Sequence, residues 1–187
     1  MKGRHILLGV SGSVAACKAA ELTTQLVRAG AEVVVIMTDG AQRFVTPVTF
    51  EALSRRPVIT SLWKRTQFQE PAHVTLAEWT DLLVIAPATA NVLGKLAHGL
   101  ADDMLSCMAL AVPRPPLIAP AMNVNMYNHP AVQDNIRLLK RRGCVFVGPV
   151  EGRLASGRVG LGRMADVKDI AKAVETALAP RRRAARR

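Results

Sequence analysis

The sequence predicts an α/β protein of one domain, built on a doubly wound parallel sheet with helices on both faces. Five short runs are apolar almost throughout: HILLGV, EVVVIMT, DLLVIAPA, PLIAPAM and CVFVGPV. Strands with one face in water alternate apolar and polar residues, so continuous runs indicate strands that are covered on both faces. Segments with helical periodicity separate the runs, and this alternation favours parallel strands joined by helical crossovers.

The helical segments have recognisable ends. AACKAAELTTQLVRAG ends in Gly30 and PAVQDNIRLLKRRG ends in Gly143, and glycine suits the left-handed conformation found at a helix C-terminus. A last helix, about VKDIAKAVETALA, closes the domain. We therefore expect one three-layer, Rossmann- or flavodoxin-like domain over residues 1–179 and a basic, disordered tail over residues 180–187.

The net charge limits the partners that we expect. The chain of 187 residues carries +11 at pH 7, but five arginines lie in the final RRRAARR. The rest has twenty basic and fourteen acidic residues, a net charge of +6. This moderate excess suits an anionic small molecule, and short basic termini commonly have no partner. We expect a small-molecule ligand and no nucleic acid.

Cysteine content and the N-terminus bear on the compartment. Cys17, Cys107 and Cys144 are odd in number and lack metal-ligand spacing, which argues against a disulfide framework and a metal site. The apolar N-terminal stretch superficially resembles a signal peptide, but SGS interrupts it, and no run approaches a membrane-spanning length. We expect a cytoplasmic protein that binds no metal and does not enter a membrane.

The unusual segments fall where the strands of such a sheet reach their carboxyl ends, which is where these folds bind ligands. They are GVSGS, TDGAQRF, PATAN, PAMNVNMY and GRLASGRVGLGRM. The first contains Ser11, Gly12 and Ser13, whose small side chains let backbone N–H groups approach a phosphate. Its spacing matches neither G-x-G-x-x-G nor a nucleoside-triphosphate loop, which favours a mononucleotide; a tight turn without a ligand is the alternative.

Other residues in these segments have both a structural and a functional interpretation. Thr89 and Asn91 can cap a helix or hold a ligand, and Asp102 and Asp103 suit a helix N-terminus. His73 follows the irregular stretch KRTQFQEPA and begins a helix. It is available as a general acid or base, unless it is simply a surface histidine.

Taken in order, these segments resemble the flavin-dependent cysteine decarboxylase family. The resemblance runs from about Arg4 to Leu178 and depends on GVSGSVAA, MTDGAQRFV, HVTLAEWTDLLVIAPATAN, GLADDMLS, PAMNVNMY and GRLASGRVGLGRM. Each motif alone is weak, whereas the ordered set is specific. The family includes phosphopantothenoylcysteine decarboxylases, which the chain resembles most closely, and lantibiotic peptidyl-cysteine decarboxylases.

The resemblance implies an FMN-dependent carboxy-lyase that converts 4′-phosphopantothenoylcysteine to 4′-phosphopantetheine in coenzyme A biosynthesis. Asn123 would bind the carboxylate that is lost, His73 would be the active-site base, and Met126 and Tyr127 would shape the substrate pocket. The residues implied to hold FMN are Ser11, Gly12, Ser13, Thr38, Phe44, Thr89, Asn91 and Ser106.

The implied chemistry explains both the flavin and the asparagine. Loss of carbon dioxide leaves a carbanion, and oxidation of the thiol by hydride transfer to FMN first creates a thioaldehyde that accepts those electrons as an enethiolate. An amide orients the carboxylate without the strong ion pair by which an arginine would stabilise the charged ground state.

One catalytic position departs from the family pattern. In pantothenate-pathway members, a cysteine of a substrate-covering flap helps to reduce the enethiol, and this sequence has Ser156 there. Serine lacks thiol redox chemistry, so another group or reduced flavin completes the reduction, or the enethiol leaves. The flap keeps four glycines that favour a mobile lid, Gly152, Gly157, Gly160 and Gly162. It also has three arginines that either contact a substrate phosphate or are solvated, Arg153, Arg158 and Arg163.

Two alternatives stay open: a lantibiotic-type oxidative decarboxylase of peptidyl cysteine that releases an enethiol, and a non-catalytic flavin-binding regulatory subunit. Family members assemble as trimers or dodecamers with FMN near the subunit interface, so the resemblance implies a homo-oligomer. Many bacterial members are fused to a synthetase domain. This sequence stops after the last helix, so we expect either a separate synthetase or a sequence truncated from a longer fusion.

Overall fold

A five-stranded parallel sheet forms the centre of the protein, in a computed structural model that describes residues 1–63, 72–153, 155 and 157–179. The strand order is β2-β1-β3-β4-β5. The strands are β1 (His5–Val10), β2 (Glu32–Met37), β3 (Leu82–Ala88), β4 (Leu117–Pro120) and β5 (Val145–Phe146). The predicted doubly wound parallel sheet is confirmed.

Nine helices accompany the sheet within the described part of the chain. They are α1 (Ala16–Arg28), α2 (Asp39–Gln42), α3 (Pro47–Ser54), α4 (Ala72–Trp79), α5 (Ala90–His98), α6 (Met104–Ala111), α7 (Val124–Asn128), α8 (Pro130–Arg141) and α9 (Val167–Leu178). Gly30 and Gly143 have φ values of 84° and 90° immediately beyond the C-caps of α1 and α8. The glycine-terminated helix ends are therefore confirmed.

Two hydrophobic cores, one on each face of the sheet, account for the uniformly apolar strands. In β1, Ile6 and Leu8 pack into the core below α1, α3 and α9, whereas Leu7 packs into the core below α4, α5, α6 and α8. All three side chains are fully buried. Each contributes about 1.5–3 kcal/mol relative to an exposed side chain, so a polar residue on either face of β1 would be costly.

The last apolar run does not form one strand, contrary to the sequence prediction. In CVFVGPV, β5 ends after two residues, and Val150 begins a separate antiparallel hairpin of β6 (Val150–Arg153) and β7 (Val159–Arg163). Gly148 has a φ of 75°, which turns the chain out of the sheet, and the following Pro149 has no N–H to donate to a neighbouring strand. The hairpin carries most of the predicted flap.

Some sequence predictions lie outside the described residues. Ser156 and the basic tail of residues 180–187 are among them, as is the stretch that precedes His73. Across the described residues, none of the helices has both the length and the apolar character needed to span a bilayer.

Candidate functional site

A cavity of about 590 Å³ opens at the carboxyl ends of the central strands. We call it the strand-end cavity. It contains six of the eight residues implied to hold a flavin, together with Met126. Its lining is Ser11, Gly12, Ser13, Thr38, Asp39, Gly40, Thr89, Ala90, Asn91, Val92, Lys95, Asp102, Asp103, Ala121, Met122 and Met126. The sheet topology therefore assembles one site from segments that are far apart in sequence, as the motif positions predict.

Two glycines bring the loops after β1 and β2 together. A Cβ atom on Gly12 would lie 2.9 Å from the carbonyl carbon of Gly40 and 3.0 Å from its Cα. Real Cβ atoms essentially never approach backbone so closely. Gly12 is thus required for the close contact between these loops, and any larger residue would push one wall of the cavity outward.

Ser11 joins the loop after β1 to the end of β3. Its buried hydroxyl donates a hydrogen bond to the Pro87 carbonyl at 2.7 Å and accepts one from the Thr89 backbone N–H at 3.1 Å. The hydroxyl hydrogen is therefore already engaged in a hydrogen bond within the protein. Ser11 therefore aligns two walls of the cavity, and its hydroxyl hydrogen is not available to a ligand in this arrangement.

Both threonines of the site cap helices that begin at the cavity. Thr38 is the N-cap of α2, where its side chain accepts from the Ala41 N–H, and Thr89 is the N-cap of α5, where it accepts from the Val92 N–H. Capping accounts for both threonines structurally, and it also places the N-termini of α2 and α5 at the cavity, where they favour negative charge. Asn91 is exposed on the first turn of α5.

Lys95 is a cavity residue that the motifs did not identify. Its ammonium lies 2.6 Å from Asp102 Oδ1 and 2.7 Å from Asp103 Oδ2, with only 15% of its side chain exposed. Burial disfavours the charged form, but hydrogen bonds and attraction from the two carboxylates outweigh it and raise the pKa of Lys95. The hydrogen bond from Lys95 lowers the pKa of Asp102. The sequence signal that could have indicated this contact is the position of Lys95, seven residues before Asp102 and eight before Asp103.

The two aspartates have different roles. Asp103 is the N-cap of α6 and forms a capping box with Ser106, as the predicted position at a helix N-terminus implies. Asp102 is 66% exposed and instead faces Lys95. The buried Ser106 hydroxyl is engaged by Asp103, so Ser106 supports a residue of the strand-end cavity without being part of its lining.

A second cavity, of about 380 Å³, shares Ser13, Ala121 and Met122 with the strand-end cavity. Its charged lining residues are all basic: Lys18, Arg153 and Arg163. We call it the cationic cavity. The full lining is Ser13, Val14, Ala15, Cys17, Lys18, Ala121, Met122, Asn123, Arg153, Ala155, Gly162, Arg163 and Met164.

Asn123 lies in the cationic cavity, next to the wall shared with the strand-end cavity. It is the N-cap of α7, and its Oδ1 accepts a hydrogen bond from the Asn125 N–H at 2.8 Å. This bond commits the amide oxygen, so the NH₂ group is the part of the side chain left to donate. Among the described residues, no hydrogen bond uses that NH₂ group. An amide held in this way can donate to a carboxylate.

The β6–β7 hairpin is docked on the segment that carries Asn123. The Met122 N–H donates to the Gly162 carbonyl at 3.0 Å. A Cβ on Gly162 would lie 2.3 Å from the Met122 carbonyl oxygen, so only glycine permits this approach. The hairpin therefore forms one wall of the cationic cavity.

Three other implied site residues do not line either cavity. Phe44 follows α2 and is 54% exposed, and Tyr127 packs against the core below α8. His73 is half-buried near the start of α4. This helix packs on α6 and lies on the side of the sheet opposite to α1. Their suggested roles stay predictions, and a single copy of the chain does not bring His73 to Asn123's cavity.

Comparison with known proteins now identifies the family. The family model described as Flavoprotein matches residues 1–179. The chain belongs to the Flavoprotein family. Among curated relatives, the coenzyme A biosynthesis bifunctional protein CoaBC of Bacillus subtilis is 52% identical over 175 residues, which are 94% of this chain and 43% of that protein. The chain thus spans less than half the length of that relative.

Other similar proteins match over almost their whole length. A probable phosphopantothenoylcysteine decarboxylase of Streptococcus mutans is 45% identical over 177 residues, covering 94% of this chain and 99% of that protein. A solved cysteine-to-serine mutant of PPC decarboxylase, complexed with pantothenoylaminoethenethiol, has a TM-score of 0.82, 34% identity and coverage of 94% and 98%. The FMN-dependent cysteine decarboxylase SpaF has a TM-score of 0.80, 35% identity and the same coverage. The resemblance to flavin-dependent cysteine decarboxylases is confirmed.

Proposed function

We propose that this member of the Flavoprotein family uses FMN to decarboxylate 4′-phosphopantothenoylcysteine to 4′-phosphopantetheine in coenzyme A biosynthesis. The observation that carries the proposal is the position of Asn123, whose free amide NH₂ belongs to a cavity that adjoins the strand-end cavity. The name of the curated relative from Streptococcus mutans supports this reaction, and the name of the relative from Bacillus subtilis supports the coenzyme A pathway.

The strand-end cavity suits FMN in size and chemistry. Its volume of about 590 Å³ lies in the range of cofactor sites. The N-terminus of α5, a helix of nine residues, opens on the cavity and favours a phosphate. Ser13, Asn91 and Lys95 would hydrogen-bond to polar groups of the cofactor. When bound, FMN supplies a hydride acceptor for the substrate thiol.

Asn123 would hold the substrate carboxylate in the orientation from which carbon dioxide leaves. Its carbonyl oxygen is fixed by the Asn125 N–H, so the NH₂ group donates without changing rotamer. A neutral donor binds the carboxylate more weakly than an arginine would, and it therefore does not stabilise the ground state at the expense of the transition state. Met122, which lines both cavities, would exclude water around the bond that breaks.

His73 would complete the site from a neighbouring subunit of a homo-oligomer. In one copy of the chain it belongs to the lining of neither cavity. Phe44 and Val48 are 54% and 68% exposed, and burial of such apolar side chains between subunits would stabilise an oligomer. Among the described residues all three cysteines are free, which supports a reducing, cytoplasmic location.

Anaerobic mixing of the FMN-loaded protein with 4′-phosphopantothenoylcysteine tests the function. Carbon dioxide is collected while flavin absorbance is followed. We expect gas release, transient bleaching and return of the oxidised spectrum, with 4′-phosphopantetheine as the product. Gas release with a flavin that stays bleached would support the enethiol-releasing reaction instead. A yellow protein that releases no gas would overturn the proposal in favour of a non-catalytic flavin-binding role.

A further inference from the structure

We propose that the cationic cavity selects phosphorylated substrates, with Lys18 and Arg163 binding the terminal phosphate monoester. The inference rests on the proposed function, because it names the part of that substrate which this cavity takes. It gives Lys18 a role in specificity. Lys18 lies on α1 and belongs to none of the motifs on which the resemblance to the decarboxylases depends.

Charge is segregated between the two adjoining cavities. In the cationic cavity, Lys18, Arg153 and Arg163 are the charged lining residues. In the strand-end cavity, the charged lining residues are Lys95 and three aspartates, Asp39, Asp102 and Asp103. The side-chain charges of the cationic cavity attract a phosphate dianion, which carries most of the negative charge of a two-ended substrate.

Lys18 and Arg163 converge although they come from different elements. Lys18 Nζ lies 3.9 Å and Arg163 Nη2 lies 3.6 Å from the same oxygen, Oδ1 of Asp166. Asp166 is 62% exposed and is one carboxylate shared by two cations. The pair therefore keeps a net positive charge, and a phosphate can bridge both groups while Asp166 turns to solvent.

The Arg163 guanidinium has a donor that the described protein does not satisfy. Its Nε atom is buried and has no hydrogen-bond partner among the described residues. A Cβ on Gly152 would lie 3.1 Å from that Nε and 3.3 Å from Cζ, so the guanidinium lies close to the bare backbone of β6. Buried donors generally have partners, so a phosphate that draws the Arg163 guanidinium into the cationic cavity would relieve this unsatisfied group.

Substrate discrimination tests the inference. Lys18→Gln and Arg163→Gln are compared with wild type on 4′-phosphopantothenoylcysteine and on the dephosphorylated pantothenoylcysteine. We expect each variant to lose about tenfold or more in kcat/KM for the phosphorylated substrate, chiefly through KM, with less than about a twofold change for the other. Lys18→Arg should restore most of the preference. Lys168→Gln, which changes an exposed lysine on α9 outside both cavities, is the matched control.

Two outcomes would overturn the inference. Equal losses on both substrates would mean that the cations act on the common carboxylate end or on folding. Weaker retention of FMN with unchanged riboflavin binding would assign the cations to the flavin phosphate. Binding of 4′-phosphopantetheine and pantetheine, measured by titration calorimetry, is independent of turnover. If wild type discriminates between these ligands and Lys18→Gln does not, the phosphate site stands even if the decarboxylation proposal fails.

Discussion

Gly12 and Gly40 contact each other through backbone alone, so that a Cβ on Gly12 would lie 2.9 Å from the Gly40 carbonyl carbon. We expect Gly12→Ala to lower the free energy of unfolding by about 1–3 kcal/mol through overpacking and to weaken FMN binding. Gly94→Ala is the matched control, because the nearest atom to its new Cβ, Asn135 Nδ2, is 3.7 Å away. Urea unfolding and flavin titration measure both effects. Equal behaviour of the two variants would contradict this account of the loop contact.

Asn123 can be replaced by aspartate without loss of the hydrogen bond that caps α7. Aspartate also accepts from the Asn125 N–H, so we expect Asn123→Asp to fold and to retain FMN. Its negative charge would repel the substrate carboxylate, and carbon dioxide release should fall at least about a hundredfold. Flavin absorbance and gas release are measured on the same sample. Turnover close to that of wild type would remove Asn123 from the proposed mechanism.

The Lys95 network should make stability depend on pH at both extremes. The pKa of Lys95 is raised in the folded protein, so its stabilising contribution is complete below the ordinary value of 10.5 and is lost as pH rises through the folded value. The pKa of Asp102 is lowered, so its contribution is present above the ordinary value of 3.8 and is lost as pH falls below it.

Lys95→Met provides the corresponding measurement. We expect the difference in unfolding free energy between wild type and the variant to be constant between about pH 5 and 9, and to shrink outside that window. Urea unfolding at several pH values gives this difference. A difference that does not change from pH 3 to pH 11 would show that Lys95 contributes through packing of its aliphatic stem alone.

Subunit complementation tests the placement of His73. His73→Asn and Asn123→Asp, each inactive alone, are co-expressed with different tags, and mixed oligomers are isolated. If each site takes His73 and Asn123 from different subunits, random mixing restores about a quarter of wild-type activity. The reason is that about half of the sites receive an intact His73, and about half of those also receive an intact Asn123. If both residues act within one subunit, mixed oligomers stay inactive.

Local sequence was sufficient to predict those structural features that depend on residues close together in the chain. Continuous apolar runs predict strands buried on both faces, as Leu7 and Leu8 of β1 illustrate, and Gly30 and Gly143 predict helix ends. Asp103 was assigned to a helix N-terminus because acidic residues favour that position, and in the structure it forms a capping box with Ser106, three positions further on. The run CVFVGPV misled because apolar content does not reveal where Gly148 turns the chain out of the sheet.

The composite site depended on contacts between distant segments. Ser11 and Thr89 are 78 positions apart, and only the parallel pairing of β1 with β3 makes the Ser11 hydroxyl a brace between loops. Phe44 and Ser106 belong to the implied flavin set by motif, but packing leaves one exposed and engages the other in a cap. The sequence by itself determined the strands, the helix ends and the motif that contains Asn123. The tertiary structure decided which charges from distant segments meet, as Lys18 and Arg163 do at Asp166, because such contacts depend on distances in space between segments far apart in the chain.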